Sequence, residues 1–558
     1  MPYMTGRAAL LALLKQEGIT HMFGNPGTTE LPLMDQMAGE QEIHYVLGLA
    51  EVAVMAMADG YAQAGNRLAF CNLHVAPGLG NAMGMLYDAM KANSPIIVTA
   101  GQHPQDFSLK EPLLWAELPE IARPLVKWSA EVRNLADLPQ MIHRAAKTAL
   151  AHPMGPVFLS LPGDIMNAEG EVDLGAPSRI GSAIRGDASH IAAAVALMAQ
   201  AENPVLVVGD AIAQSGSFTE IVAFAEMLGA PVFDETVASR ANFPSSHKLY
   251  RGALTRLGAS VHDAMQNHDL LVSIGADVFT LSVPSDIEPL PEGMQVIHLD
   301  TNPWEIGKNY PVTVGIFGDP VATLPELTAG LQAAMTPTQV ERAAARAKHA
   351  HQESATSLAH LRAMADAAAD KQPIQALALM RTIGDALPDN AVIVDETISS
   401  GAGLRRLLRT NDPQSFFGLR GGGIGWGLPA AVGAALALPD RPVVALIGDG
   451  SAMYTIQGLW TAAHEKLHII YVILNNSSYR ILKQRTNAMK GLAAQTDTYV
   501  AMDLTEPRVD FLSVAKGMGM TAYKAHTLEE VRKFLTKGLA AKGPVLIDVE
   551  LDRSFKPV

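Results

Sequence analysis

Short apolar runs bounded by Gly, Pro or polar residues recur along the chain, and stretches of helical length lie between them. His21–Phe23, Tyr45–Leu49, Leu68–His74 and Pro95–Ala100 read as strands. So do Val205–Val208, Leu270–Ile274, Val296–Leu299, Val392–Val394, Val443–Ile447, His468–Leu474 and Val545–Val549. The N-terminal segment, carrying Leu10, Leu11 and Leu14, reads as an amphipathic helix that Thr5 caps and Gly18 ends. Glu51 opens the helix after Tyr45–Leu49, and Thr527 with Glu530 forms a capping box. Strands alternating with helices predict an α/β protein with three doubly wound domains and mainly parallel sheets. The domains are expected over 1–175, 190–335 and 370–558. The Gly-, Ser- and Asp-rich stretch 166–189 reads as a linker, and the Ala-rich, charged stretch 336–371 as a helical connector. No short-period repeat is visible.

The stretch Val443–Tyr479 organises the rest. Its two apolar runs enclose Gly448-Asp449-Gly450-Ser451, a segment of helical length, and a closing Asn475-Asn476. A strand, helix and strand of this length form a parallel crossover, so both strands end on one edge of the sheet, where open α/β sheets bind ligands. Asp449 and Asn476 then bring together a carboxylate and an amide oxygen, hard ligands suited to Mg²⁺ or Ca²⁺. Gly448 and Gly450 allow close backbone approach to an anion, and Ser451 is expected to start a helix whose N-terminus favours phosphate. Gly-Asp-Gly alone reads as one more turn and Asn-Asn as one more loop. Together, with the 24 residues Ser451 to Leu474 between them, they describe a diphosphate site.

Composition narrows the classes. The chain has 558 residues, 48% of them apolar, and a net charge of −14 without a basic block. Nucleic acid and anionic membrane surfaces are therefore not expected partners. The single cysteine, Cys71, excludes a disulfide framework within the chain and suits a reducing cytoplasm. No apolar run approaches the length of a membrane span, and the N-terminus lacks a signal pattern.

Gly-Asp-Gly and Asn-Asn at this spacing resemble the signature of thiamine-diphosphate enzymes, and the likeness extends over nearly the whole chain. It is nearest to the benzoylformate decarboxylases of that family. It runs through FGNPGTTELP at 23–32, GLAEVAVMAMADGYAQA around Glu51, NLHVAPGLGNAMG at 72–84, RPLVKW at 123–128, GGGIGWGLPAA at 421–431 and KGPVLIDV at 542–549. The resemblance implies thiamine diphosphate held through Mg²⁺, with Ca²⁺ as a substitute, and no FAD. It implies metal ligation by Asp449, Asn476 and the Ser478 carbonyl, and a diphosphate held by Gly448, Gly450, Ser451, Ser399 and Tyr479. Asn25, Pro26 and Gly27 are implied as further cofactor-binding residues. Glu51 is implied as the carboxylate on the aminopyrimidine, although a Glu at a helix start also has a plain dipole explanation. The Gly422 carbonyl would face the pyrimidine amino group, and Ile424 would wedge between the cofactor's rings. His74 matches an active-site His, with a loop-bonded histidine as the plain alternative, and Thr28 falls where relatives carry a substrate-facing Ser.

Two positions depart from the pattern. In GADVFTLSVP, Ser282 stands where relatives carry a second active-site His, and a hydroxyl does not titrate near neutrality. Arg480, Lys483 and Arg485 follow the Asn-Asn pair where relatives are more apolar. A solvated helix face is the favoured reading of these cations, and a pocket for a second anionic group is the alternative.

The resemblance implies a non-oxidative lyase that releases CO₂ and an aldehyde from a 2-oxo acid, with aldehyde carboligation beside it. It also implies a cytoplasmic homotetramer built of dimers that share active sites. An acetolactate-synthase-like carboligase is an alternative, but Leu113-Leu114-Trp115 stands where those relatives show Phe-Gln-Glu. A 2-hydroxyacyl-CoA lyase is a third reading. The non-enzymatic alternative is a diphosphate-binding regulatory module, which loss of Glu51 or Asp449 would favour. Both residues are present.

Overall fold

The computed structural model describes residues 1–555. It resolves into two compact units. One comprises Met1–Ile180, Val392–Ser400 and the chain from Leu419 onward, and the other Gly181–Ala391 with Gly401–Gly418.

The first unit holds two sheets. In the N-terminal sheet the order is His44–Leu47, His21–Gly24, Ala69–Leu73, Ile96–Gln102, Val157–Pro162, Ser129–Glu131, every pair parallel. The C-terminal sheet runs Val392–Glu396, Val443–Gly448, Ile469–Asn475, Val545–Glu550, Thr521–Ala525, again parallel. The second unit carries Tyr250–Ala253, Val232–Asp234, Pro204–Val208, Leu270–Ile274, Gln295–Asp300 and Val314–Phe317 in that order, all parallel. Three parallel-sheet α/β domains are thus present, as the alternation of elements requires. Helix Pro337–Ala367 follows, opened by a Thr336–Gln339 capping box.

Several expectations need adjusting. The segment after Gly448 is not one helix. It forms Asp449–Ala452 and, separately, Gly458–His464. Gly425 packs against the chain at this break: its carbonyl accepts the Thr455 hydroxyl at 2.6 Å, and a Cβ on it would meet Tyr454. The stretch 166–189 is a linker only in its later part, because Glu169–Glu171 pairs antiparallel with Tyr3–Thr5. Thr5 caps Gly6–Gln16 as its sequence suggests, accepting Ala8 N–H. Edge strands such as Ser129–Glu131 and Tyr250–Ala253 are three or four residues long and carry no apolar run for the eye to find.

Within the first unit, helix Gly427–Ala437 packs on helix Glu51–Gly65. Both are rich in Gly and Ala, so the backbones come into contact. A Cβ on Gly433 would overlap the Met57 carbonyl oxygen, and one on Gly60 the Ala430 carbonyl. The buried Trp426 indole donates to Asp59 Oδ2 at 2.7 Å beside this crossing. A hydrogen bond to a charged or strongly polar buried acceptor contributes about 1.5–3 kcal/mol.

Gly433→Ala tests the crossing. Overpacking of this kind costs about 1–3 kcal/mol, so the melting temperature should fall. An unchanged melting curve would mean the two helices do not touch backbone to backbone.

Candidate functional site

Strands Val443–Gly448 and Ile469–Asn475 pair in parallel, with Gly448 opposite Leu474. The residues just beyond them meet at the sheet edge. Asp449 is buried and takes N–H donors from Gly450, its own backbone, Asn476 and Ser477. Burial pushes its carboxyl up to about 6, against the pull of those N–H groups. Asn476 Oδ1 accepts Ser478 N–H at 3.0 Å and the Ser478 hydroxyl at 2.9 Å. Among the described residues no group of three His, Cys, Asp or Glu stands ready for a metal. Asp449 and Asn476 nonetheless offer a carboxylate and an amide oxygen, hard donors of the kind Mg²⁺ and Ca²⁺ take. Beside it the Tyr479 ring packs against Gly450, where a Cβ would collide with the ring, and Ser451 bonds to Glu396.

The glycine turn Gly421–Gly425 lies over the same sheet. Gly422 has φ +90° and Gly425 φ +99°, both in the left-handed half of the map where a side chain is strained. No atom lies within 4 Å of the position a Cβ would take on Gly422, so its exposed backbone is open to a ligand. Ile424 is half-buried. Glu396, at the end of strand Val392–Glu396, accepts Gly425 N–H at 2.6 Å and Gly427 N–H at 2.5 Å. Burial raises its carboxyl to about 7, opposed by those two N–H groups and the Ser451 hydroxyl.

A second cluster forms at the C-terminal edge of the N-terminal sheet. Glu51 is the first residue of its helix and accepts Asn81 Nδ2 at 3.2 Å. His74 precedes helix Val75–Lys91. Gly78 lies between them, with a Cβ position 3.2 Å from Glu51 Oε1 and 3.3 Å from His74 Cβ. His74 Nδ1 lies 2.8 Å from Glu30 Oε2 and 3.1 Å from Thr29 Oγ1. Glu30 is buried and is the hub of this cluster. It also accepts Gly27 N–H and Gly101 N–H, each at 2.9 Å, and the Thr29 hydroxyl. The His74 ring lies over Gly27, which leaves no room for a side chain there. Asn25 and Gly27 are half-buried, and Pro26 and Thr28 are exposed beside them.

Strained backbone marks the same places. Val75, Ile398 and Ser477 have φ of +42°, +44° and +50°. Two of them are β-branched, for which this region is a true outlier costing about 1–3 kcal/mol. Each sits next to a residue singled out by sequence: His74, Ser399, and Asn476 with Ser478.

The solvated reading of the cations after Asn476 is corrected for two of them. Arg480 and Lys483 are buried. Arg480 Nη2 donates to the Ser399 carbonyl at 2.7 Å and to Ser400 Oγ at 2.8 Å, and Nη1 to the Asp552 carbonyl at 3.3 Å. Burial holds its guanidinium below the usual arginine range. Lys483 bonds to Asp503 at 2.6 Å and lies over the Phe555 and Tyr499 rings. The helix Arg480–Ala488 turns this face inward, which charge alone could not reveal. Arg485 is half-buried. In the second unit Ser282 is exposed, its N–H donating to the Arg256 carbonyl. Glu30, Asn81, Asp88 and Glu396 were not picked out by sequence reasoning. Glu396 carries a usable signal, a carboxylate closing an apolar strand at the ligand edge, whereas Glu30 lies inside a recognised motif but has no pattern of its own.

Comparison with known proteins follows from this geometry. Residues 4–114 match the N-terminal TPP-binding domain of thiamine pyrophosphate enzymes, 191–327 the central domain, and 399–549 the C-terminal TPP-binding domain. The chain is 33% identical to a benzoylformate decarboxylase of Pseudomonas aeruginosa over 98% of both chains. It is 29% identical to the acetolactate synthase large subunit of Corynebacterium glutamicum, over 98% of this chain and 86% of that one. Among solved structures, benzoylformate decarboxylase from Polynucleobacter necessarius is similar with a TM-score of 0.87 and 32% identity, covering 99% of this chain and 100% of that one. A thiamine diphosphate-dependent 4-hydroxybenzoylformate decarboxylase of Rhodococcus jostii is similar with a TM-score of 0.86 and 31% identity, at the same coverage.

Glu30→Ala should strand the Gly27 and Gly101 N–H groups and release His74. Each orphaned buried donor costs about 1–3 kcal/mol, so the melting temperature should drop and the Gly101 amide should exchange faster with solvent. Unchanged exchange at Gly101 would remove Glu30 from the centre of this cluster.

Proposed function

The chain belongs to the thiamine diphosphate enzymes, and on that premise we propose that it is a Mg²⁺-dependent lyase that removes CO₂ from a 2-oxo acid and releases the aldehyde. One observation carries the lyase reading: the Glu51 carboxylate and the Cβ of His74 both flank Gly78, while the His74 ring is held over Gly27 by Glu30, so a carboxylate and an oriented imidazole belong to one edge of the sheet. The names of the relatives support it, since decarboxylases of benzoylformate and 4-hydroxybenzoylformate stand among them.

The residues fit the cofactor, because the donor set at Asp449, Asn476 and Ser478 is all oxygen and Gly422 leaves open space over its backbone. Asp449, Asn476 Oδ1 and the Ser478 carbonyl would hold Mg²⁺. Gly448, Gly450, Ser451, Ser399 and Tyr479 would hold the diphosphate. The Gly422 carbonyl, Ile424, Glu51 and the Asn25-Pro26-Gly27 loop would hold the rings. When bound, thiamine diphosphate supplies an electron sink for the pair that carboxylate loss leaves behind.

The chain's own residues then supply positioning and proton transfer. Glu30 fixes the proton of His74 on Nδ1 and leaves Nε2 as the exchanging nitrogen. His74 Nε2, which bears no proton in that tautomer, would first take one up from solvent and, as the imidazolium, give it to the carbon that loses CO₂, and the exposed Thr28 hydroxyl would hydrogen-bond the substrate. Carboligation of the retained aldehyde fits the same residues as a side activity.

Assembly belongs to the proposal. Within one chain the glycine turn is held at Asp88 and Asp59, by Gly423 N–H at 3.0 Å and the Trp426 indole at 2.7 Å. The family resemblance implies that Gly422 of one chain and Glu51 of a second copy hold one aminopyrimidine, so that two copies complete each site. Mixing Glu51→Gln with Asp449→Ala protein, each inactive, should restore part of the activity once subunits exchange. Demonstrated hybrid dimers without activity would argue for a site within one chain.

Substrate choice rests on Ser282, Ile398 and Ile481. A neutral hydroxyl in place of an imidazole forgoes a general acid–base contribution of about 10²–10⁴-fold. Ile398 and Ile481 stand where the family resemblance implies smaller side chains, so a smaller or aliphatic 2-oxo acid is the expected substrate. A panel of 2-oxo acids assayed for CO₂, with the aldehydes identified, should show turnover, poorest with benzoylformate, and Ser282→His should raise the benzoylformate rate. No CO₂ from any member would overturn the lyase reading. Fast benzoylformate turnover, unaltered by Ser282→His, would overturn the substrate argument alone.

A further inference from the structure

The glycine turn is supported from below by Asp88, on helix Val75–Lys91, a residue that no step of the proposed chemistry uses. Asp88 is buried, 2% exposed. Its Oδ1 accepts Gly423 N–H at 3.0 Å. A Cβ on either Gly421 or Gly423 would run into the Asp88 carboxyl group, so the turn lies directly on it. The other carboxyl oxygen, Oδ2, is buried and accepts no hydrogen bond among the described residues.

The charges that act on Asp88 are acidic: Asp59, from helix Glu51–Gly65, and Glu396, from strand Val392–Glu396. On its own helix the nearest basic group, Lys91, lies over the Tyr87 ring. An ionised Asp88 would add a third negative charge to this interior and leave one oxygen unsolvated, a state that costs several kcal/mol in general.

We propose that Asp88 is the positioning residue of the Gly421–Gly423 turn, that it works as the neutral acid, and that its ionisation loosens the turn and weakens cofactor binding. The proposal rests on the reading of Gly422 as the carbonyl that faces the aminopyrimidine. Burial, with Asp59 and Glu396 adding repulsion, raises the Asp88 carboxyl to about 8, against the opposing pull of Gly423 N–H. The folded chain therefore retains a proton that the unfolded chain releases near its ordinary value of 3.8. The stability this group contributes is present at low pH and is lost as pH rises toward about 8, with no further loss above it. The turn is held by the neutral acid below that point and meets a carboxylate above it.

Asp88→Asn separates the forms, because the amide keeps the Oδ1 acceptor, matches the neutral acid in shape and cannot ionise. Thiamine diphosphate affinity with Mg²⁺ is measured by calorimetry near pH 7 and near pH 9 for wild type and Asp88→Asn, and the melting temperature of the cofactor-free proteins is followed over the same range. Wild-type affinity should weaken by about tenfold across the range while Asp88→Asn stays flat, a coupling of ordinary size for two linked equilibria. The cofactor-free melting temperature should fall with pH more steeply in wild type than in Asp88→Asn. Asp88→Leu, where it folds, should bind weakly at both pH values. An identical alkaline fall in wild type and Asp88→Asn overturns the proposal, as does an Asp88→Asn protein that binds no better than Asp88→Leu near pH 7. Wild type that fails to bind thiamine diphosphate even near pH 7 overturns the cofactor reading itself, and with it the proposal.

Discussion

Buried carboxyl groups that take their hydrogen bonds from backbone N–H donors shape every loop of the site. Glu30 gathers Gly27 and Gly101, Glu396 gathers Gly425 and Gly427, Asp449 gathers Asn476 and Ser477, and Asp88 takes Gly423. Each draws together segments that are irregular by themselves, at the edges where parallel strands leave their orphan groups. Burial makes such a carboxyl expensive to ionise, and the N–H donors offset only part of that. At Glu396, Asp449 and Asp88 burial raises the carboxyl, so these three loops are held by groups whose charge state is poised rather than fixed. The strained residues Val75, Ile398 and Ser477 lie beside this framework, whose bonds offset the strain.

The larger features of the fold were legible because they follow from periodicity and spacing. Val443–Gly448, Leu270–Ile274 and Ile469–Asn475 are mostly apolar runs, and parallel pairing follows from the helices between them. The meeting of Asp449 with Asn476 follows from the same crossover. Less accessible was anything set by tertiary contact. The helix expected after Gly448 is interrupted where Tyr454 and Thr455 meet Gly425, a contact no local preference announces. Arg480 and Lys483 look like a solvated face until the helix orientation is known. Glu30 and Asp88 have no sequence pattern of their own, and burial and hydrogen bonding reveal that they hold loops.

The two helices that cross at Gly60 and Gly433 give the site its rigid base. Their small residues let two sheets of one unit share a backbone contact, with Trp426 and Asp59 locking the end. The glycine turn emerges from this contact, so its position is referred to the N-terminal sheet as well as to its own. That arrangement joins groups from distant parts of the chain through hydrogen bonds, although the turn contains no regular structure.

Arg480 ties the Ser399 carbonyl to the carbonyl of Asp552, close to the end of the chain, and Lys483 lies over Phe555. The C-terminal segment is therefore mechanically part of the loop proposed to cradle the diphosphate. A fusion partner or affinity tag attached there would pull on that loop. One attached at the N-terminus would pull instead on the pairing of Tyr3–Thr5 with Glu169–Glu171 and on the Thr5 cap of helix Gly6–Gln16. The choice of tagged end is then a choice about the loop proposed to cradle the diphosphate.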